Sequence, residues 1–138
     1  MSRLYLLDTN TIIYILKGKS AAARVRLAGL PNGEVASISA ITEGELLYGL
    51  AKSGSSDRSR QSLEWFLARM KILPWGREEA AAYGLLRATQ ERIGRTLAPL
   101  DTQIAAHAVA VGAIVVTNDR AFHQVESLLG IENWATDL

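Results

Sequence analysis

Four acidic residues lie where the local character of the sequence changes. Asp8 ends the first apolar run, and Asp119 closely follows the last strongly β-branched one. Asp101 opens an alanine-rich stretch, and Glu45 lies inside a helical pattern. An acid at the end of a buried strand lies at the edge where open α/β sheets bind their ligands. We therefore expect these four carboxylates to meet at one edge of a sheet.

A group of carboxylates at one edge implies a bound metal ion. Like charges in close contact repel strongly unless a divalent cation neutralises them, and Mg²⁺ or Mn²⁺ prefers oxygen ligands. Such a cation lowers the pKa of a bound water, orients it for in-line attack and stabilises charge on a phosphoryl oxygen. The pattern predicts a metal-dependent hydrolase that needs no nucleophilic side chain.

Each acid also has a simpler explanation. Asp8 could form an Asx turn before a helix, and Asp101 and Asp119 could each cap one. Asp101 shares a helical stripe with apolar residues, so its carboxylate faces the packed side, which is costly without a partner. The helix that carries Glu45 also carries Glu43, and the apolar spacing does not decide which of the two faces the site.

Other kinds of catalytic site lack their residues. There is no cysteine, which excludes disulfides, thiolate zinc sites and a cysteine nucleophile. Neither a G-x-S-x-G elbow nor a G-x-x-x-x-G-K phosphate loop is present. The two histidines are His107 and His123. His107 lies off the stripe of Asp101, so we expect it to be packed or solvated rather than catalytic.

Length and composition indicate one globular domain over residues 1–138. Hydrophobic residues make up 49% and charged residues 21%, which is typical of a folded chain rather than a disordered one. The lack of cysteine and of a basic-then-apolar leader favours the cytoplasm. The apolar stretch 4–16 is interrupted by polar residues and too short to span a bilayer, so we expect no membrane association.

Short apolar runs alternate with longer helical patterns, which predicts an α/β fold with a parallel sheet covered on both faces. The expected N-caps are Thr9 or Asn10, then Ser20, Ser39 and Asp57, and we expect a later helix to begin at Asp101 or Thr102. Strands are predicted at 4–7, 34–38, 72–74 and 113–117, with a small edge strand at 132–135. Helices are predicted at 12–17, 20–30, 40–52, 57–70, 77–93, 101–112 and 120–129.

The ordered set of motifs resembles the PIN-domain family, specifically the VapC-type toxin ribonucleases of toxin–antitoxin systems. The segments are LLDTN (6–10), SAITEGELLYGL (39–50), LAPLDTQIAAHA (97–108), VVTNDRAF (115–122) and ENWAT (132–136). The resemblance implies a three-layer α/β/α fold with a central parallel sheet of four or five strands. It also implies an endoribonuclease dependent on Mg²⁺ or Mn²⁺ that acts on transfer or ribosomal RNA, a homodimer, and inhibition by a VapB-type antitoxin.

The resemblance also assigns roles to particular residues. It places the catalytic and metal-binding acids at Asp8, Glu45, Asp101 and Asp119, and so selects Glu45 over Glu43. Many relatives have one more residue after the strand-end threonine, so the alignment is loose at Asp119. The supporting polar residues are Asn10, Thr117 and Asn118.

Partner surfaces can be suggested from charge and apolar content. The net charge is only +1, so a basic excess typical of nucleic-acid binders is absent overall. Locally, we expect RNA contacts at Lys52, Arg58, Arg60 and Arg69, with solvated helix faces as the alternative and Arg87, Arg92 and Arg95 as a second path. Surplus apolar side chains predict an interface, with an antitoxin segment in a groove around Leu46, Leu47, Tyr48, Leu50, Trp65 and Phe66. A PIN-like module that binds RNA or protein without cleaving is the alternative function.

Overall fold

A five-stranded parallel sheet forms the centre of the computed structural model, which describes residues 2–138. The strand order is β3-β2-β1-β4-β5. The strands are β1 (Arg3–Leu7), β2 (Glu34–Ser39), β3 (Lys71–Leu73), β4 (Ile114–Val116) and β5 (Ile131–Glu132). The helices are α1 (Thr9–Leu16), α2 (Ala21–Ala28), α3 (Ala40–Lys52), α4 (Asp57–Arg69), α5 (Arg77–Ile93) and α6 (Pro99–Val111), followed by a 3-10 helix (Arg120–Val125).

Helices cover both faces of the sheet, as the alternation of patterns predicted. Tyr5 and Leu7 of β1 project to one face, where they pack with side chains from α1, α2, α3 and α4. Leu6, between them, projects to the other face and packs against α5, α6 and the 3-10 helix. Because successive strand side chains alternate between faces, the part of β1 that is buried on both sides, residues 5–7, must be apolar. The three-layer α/β/α architecture follows from this run.

The strand order places a topological switch point at the carboxyl end of β1. From β1 the chain moves outward to β2 and β3, then returns to the other side of β1 to form β4 and β5. The connections that leave β1 and β4 therefore diverge to opposite sides. A crevice opens where such connections diverge, and open α/β sheets bind ligands there.

Several predicted boundaries need correction. The N-cap of α1 is Asp8, rather than Thr9 or Asn10, since its carboxylate accepts the free N–H of Thr11. Ser56, not Asp57, caps α4 through the N–H of Ser59. The caps expected at Ser20 and Ser39 are confirmed.

The last third of the chain also differs from its predicted boundaries. Helix α6 begins at Pro99, two residues before Asp101, because proline suits the first turn of a helix, where the N–H is free anyway. The segment predicted as a helix over 120–129 is a 3-10 helix that ends at Val125. The edge strand is Ile131–Glu132 rather than 132–135. No helix within residues 2–138 has both the length and the apolar character needed to cross a bilayer.

Candidate active site

Three neighbouring strands each contribute one side chain to a row at the carboxyl edge. Strand β1 pairs in parallel with β2 on one side and with β4 on the other. The two registers place Asp8, the residue after β1, level with Ser39 at the end of β2 and with Thr117 just after β4. Because side chains alternate between faces, all three belong to the face of Leu6, which α5 and α6 cover.

The carboxylate of Asp8 is buried and held by two hydrogen bonds. One oxygen accepts the N–H of Thr11 at 2.8 Å, and the other accepts the hydroxyl of Thr117 at 2.5 Å. Burial raises the pKa of Asp8, the two hydrogen bonds act against this, and the charge of Asp119 raises it further. Asp8 thus has the simple capping role as well, but it caps α1 with a carboxylate that the protein has largely removed from water.

Asp101 lies in the first turn of α6 and is half-buried. Its pKa is raised by burial first, and then by the negative charges of Asp119 and Asp8. Asp101 is not the cap of its helix, because that position belongs to Ala98. Its place at the helix start brings a third carboxylate to the edge that already carries Asp8 and Asp119.

Asp119 follows β4 and its orientation depends on Thr117. The N–H of Asp119 donates to the Thr117 hydroxyl at 3.0 Å, and one Asp119 oxygen caps the 3-10 helix through the N–H of Ala121 at 2.9 Å. The same Thr117 hydroxyl donates to Asp8. One side chain therefore connects the ends of β1 and β4, while Asn118 lies half-buried between Thr117 and Asp119.

Glu45 is the most exposed of the four predicted acids. It is exposed on α3, whereas Glu43 is half-buried in the first turn of the same helix. Glu45 is not among the charges that raise the pKa of Asp101. Asn10 is also exposed, and the hydrogen bonds to Asp8 come from Thr11 and Thr117 instead. The roles of Glu45 and Asn10 remain predictions.

The three aspartates fit a hydrated divalent cation. In the part of the chain that the structure describes, no ion pair includes any of the three. The hydroxyl of Thr9, the residue after Asp8, is buried and has no hydrogen-bond partner among the described residues. Across residues 2–138, no three His, Cys, Asp or Glu side chains lie close enough to enclose a metal ion. Mg²⁺ usually retains several waters and binds one or two carboxylates together with substrate phosphates, which suits this open arrangement.

The four basic residues predicted to bind RNA do not form one patch at this edge. Arg69 ends α4 directly before β3, and all strands of the sheet are parallel, so Arg69 lies at the edge opposite the aspartates. Its guanidinium stacks 3.9 Å from the centroid of the Trp65 ring. Arg60 is paired with Asp57 at 3.1 Å and Glu64 at 3.5 Å. Lys52 and Arg58 are exposed on α3 and α4.

The second basic group lies closer to the aspartates along the chain. Arg87 accompanies Tyr83 and Glu91 on α5, with its guanidinium 3.0 Å from the Tyr83 hydroxyl. Arg95 is in the connection that leads into α6, six residues before Asp101. Arg95 is therefore close to Asp101 along the chain, whereas Arg69 lies at the opposite edge of the sheet.

A large apolar groove lies away from the aspartates. It has a volume of about 1000 Å³ and runs between α1, α2 and α4 beside β2. Trp65 and Phe66 line it as predicted, together with Leu27 and Met70. The four apolar residues predicted from α3 do not line it: Leu46 is packed in the core, Leu50 is half-buried, and Leu47 and Tyr48 are 47% and 59% exposed elsewhere on α3.

Two residues of the site were not predicted to belong to it. Thr11 holds Asp8 through a backbone N–H, which no side-chain pattern reveals. Ser39 was predicted only as a helix cap, yet it also stands in the row with Asp8 and Thr117. The signal was available in the sequence, since Ser39 ends a buried strand just as Asp8 does.

Comparison with known proteins agrees with this geometry. The PIN domain family model matches residues 5–128, which is most of the chain. The chain therefore belongs to the PIN-domain family.

Within that family, its relatives are VapC ribonucleases. The chain is 38% identical over 132 residues to the tRNA(fMet)-specific endonuclease VapC of Shigella flexneri, covering 95% of this chain and 98% of the relative. Among solved structures, VapBC2 from Rickettsia felis bound to a DNA fragment from its promoter matches with a TM-score of 0.88 at 32% identity, covering 95% and 98%. DNA-bound VapBC from Salmonella typhimurium matches with a TM-score of 0.86 at 36% identity, covering 97% and 99%. The fold and family predicted from the motifs are confirmed.

Proposed function

We propose that this chain is the toxin of a toxin–antitoxin pair, and that it acts as an endoribonuclease dependent on Mg²⁺ or Mn²⁺. We further propose that residues 1–138 form a single PIN domain. The observation that carries the proposal is the group of Asp8, Asp101 and Asp119 at the switch point, where burial and mutual repulsion raise the pKa of Asp8 and of Asp101. Such an arrangement is unfavourable for folding and becomes favourable once a cation is bound.

Some residues of the site would bind the cation, and others would orient those ligands. Asp8, Asp101 and Asp119 would hold the cation, with Glu45 as a further ligand from α3. When bound, the cation supplies an activated water and stabilises charge on the phosphoryl oxygens. Thr117 keeps the carboxylate of Asp8 and the backbone of Asp119 in fixed relation through its two hydrogen bonds. Asn118 and Asn10 would contribute polar contacts to water or RNA.

Transfer RNA is the substrate class to test first. The Shigella flexneri relative is named as a tRNA(fMet)-specific endonuclease, and it covers nearly the whole of this chain. Sequence-specific RNA recognition targets single-stranded loops whose bases can be splayed apart, so a loop of a folded RNA would present its backbone to the aspartates. Ribosomal RNA is the alternative substrate.

The apolar groove suits an antitoxin segment. The solved structures that this chain is similar to include VapBC complexes, and its groove is lined by apolar side chains together with three basic residues, Arg24, Arg69 and Lys71, and one acid, Glu34. An amphipathic helix with acidic flanking residues would match the apolar lining and the excess of basic side chains. A homodimer would use a different surface, and the exposed Leu47 and Tyr48 on α3 are candidates.

The decisive experiment is cleavage of end-labelled RNA by the purified chain. Folded tRNA(fMet) and a ribosomal RNA fragment are each incubated with Mg²⁺ or Mn²⁺, and in parallel with EDTA. We expect defined fragments of at least one RNA with metal and none with EDTA, and loss of those fragments in Asp8→Asn. Tight RNA binding with no cleavage under any metal condition would instead favour the non-cleaving module.

Co-purification with the product of an adjacent gene tests the partner. Replacing Leu27 and Phe66 in the groove by alanine should weaken that complex, whereas replacing Leu47 and Tyr48 should leave it intact and change the elution volume of the free chain. The reverse pattern would assign the antitoxin to the surface of Leu47 and Tyr48 and the homodimer interface to the groove.

A further inference from the structure

His107 occupies an unusual position for a core side chain. It is fully buried in α6, as expected of a packed rather than catalytic histidine, and its ring stands edge-to-face with Trp75 at 5.5 Å between centroids. Among residues 2–138, only one of its ring nitrogens has a partner: Nδ1 lies 2.8 Å from the hydroxyl of Ser39, while Nε2 is buried without one. A buried polar atom without a partner costs about 1–3 kcal/mol, so an apolar side chain would fill this space more favourably.

The partner of His107 connects two sides of the site. Ser39 ends β2 level with Asp8, and its hydroxyl also accepts the N–H of Ile41, which caps α3. Helix α3 packs on one face of the sheet and α6 on the other. The contact between His107 and Ser39 is therefore a polar link between α6 and the end of β2, from which α3 begins on the opposite face.

The link is equally spaced from two acids. Asp101 lies six residues before His107 on α6, and Glu45 lies six residues after Ser39 on α3. Six residues of α-helix extend about 9 Å, so a shift or rotation at the link is transmitted along two short rigid segments to both carboxylates. The same shift moves the end of β2 beside Asp8.

His107 is held as a neutral ring. Burial lowers its pKa, and the charge of Glu79, itself buried at the start of α5, acts in the opposite direction. A neutral imidazole can hydrogen-bond with the Ser39 hydroxyl in either direction, so the link persists in both tautomers.

We propose that His107 is a positioning residue of the nuclease site, which acts through Ser39 to set the separation of the carboxylates on α6, β1 and α3. The proposal rests on the proposed function, because the carboxylates matter as metal ligands. Polar groups that orient metal ligands indirectly contribute about 10–100-fold to metal affinity or activity. We expect the lower end of that range here, since neither His107 nor Ser39 is among the hydrogen-bond partners of Asp8.

The test compares His107→Leu, His107→Asn and Ser39→Ala with wild type. The asparagine amide can take the position of Nδ1 and keep the link, whereas leucine keeps the volume and removes it. Ser56→Ala is the matched control: it removes the cap of α4, a helix that carries none of the proposed acids. Binding of Mn²⁺ is measured by the electron paramagnetic resonance signal of the free ion, and exchange of the Ile41 N–H is measured in the metal-free protein.

We expect Mn²⁺ binding to weaken about tenfold in His107→Leu and in Ser39→Ala, without further loss in the double variant. His107→Asn should restore most of it, and Ser56→Ala should match wild type even if its melting temperature falls. RNA cleavage should lose kcat with KM nearly unchanged, because His107 does not reach RNA.

Two results would overturn the proposal. If His107→Leu binds Mn²⁺ as wild type does while Asp8→Asn does not, His107 is only a core residue and the nuclease proposal stands. If wild type itself binds no Mn²⁺ and cleaves no RNA, both proposals fail. If His107→Leu does not fold, Ser39→Ala takes its place in this comparison, because it removes the other end of the same hydrogen bond.

Discussion

Asp8→Asn should stabilise the metal-free protein at neutral pH while abolishing RNA cleavage. The pKa of Asp8 is raised, so folding disfavours its charged form, and the stability present at low pH is lost as the pH rises through that pKa. Asparagine has nearly the same shape and carries no charge. Its oxygen can accept the N–H of Thr11, and its amide can donate to the Thr117 hydroxyl.

The magnitude follows from two opposing effects. Burying an ion costs several kcal/mol even after the protein relaxes. Against this, Asp8 accepts two hydrogen bonds as a charged group, and each is worth about 1 kcal/mol more than a neutral one. Since burial outweighs the bonds, we expect a net gain of about 1–2 kcal/mol. For a chain of 138 residues this raises the melting temperature by about 3–7 °C.

Thermal melts in EDTA at pH 7 and at about pH 4 measure this effect. The gain should shrink at the lower pH, where the wild-type carboxyl is increasingly protonated. Asp137→Asn is the control with opposite sign: the Ser20 hydroxyl lowers the pKa of Asp137, so that variant should melt lower than wild type at pH 7. Saturating Mn²⁺ should reverse the order, because ligand at a hundred times its Kd adds about 2.7 kcal/mol to wild type alone.

A melting temperature of Asp8→Asn below that of wild type in EDTA at pH 7 would show that the cost of burying the charge is smaller than the hydrogen bonds it opposes, and would refute the expected stabilisation. Cleavage at the wild-type rate by Asp8→Asn would refute the metal site itself, whatever the melts show.

Three further predictions concern the remaining acids and the basic residues. In single-turnover cleavage, Asp101→Asn should lose about 10²–10³-fold, and Asp119→Asn less, because Asn118 offers a neighbouring oxygen; equal losses would make Asp119 a primary ligand. Glu45→Gln should lose at least about tenfold more activity than Glu43→Gln, and the reverse order would reject the motif assignment. To compare the two basic groups, three residues of one group at a time are replaced by alanine, and RNA affinity is measured at several salt concentrations. The slope of log affinity against log salt concentration should flatten by about 1 for each phosphate contact removed. One set of three is Arg58, Arg60 and Arg69, and the other, on and just after α5, is Arg87, Arg92 and Arg95.

Local patterns were enough to predict the layers of the fold. A continuous apolar run such as that of β1 is compatible with a strand buried on both faces, and the helical periods between such runs require crossovers that cover a parallel sheet. Asp8 and Asp119 were found for the same reason: each follows a buried strand, and parallel strands end at one edge. The ordered motifs added the family, since each motif alone is too short to be specific.

Boundaries were less predictable where several residues compete for one free N–H. Thr9, Asn10 and Asp8 are all good capping residues, and the choice depends on which side chain the end of β1 directs toward the helix. Asp57 and Ser56 present the same ambiguity at α4.

By itself, the sequence determined which residues could bind a metal and which strands carry them, because those properties depend on side-chain chemistry and on periods of a few residues. Only the tertiary structure decided how they meet. The order β3-β2-β1-β4-β5 is a choice among pairings of distant segments, and it sets Thr117 against Asp8 across more than a hundred residues. The link from His107 to Ser39 has the same origin, because a hydrogen bond between a helix and the end of a distant strand leaves no periodic trace in either element.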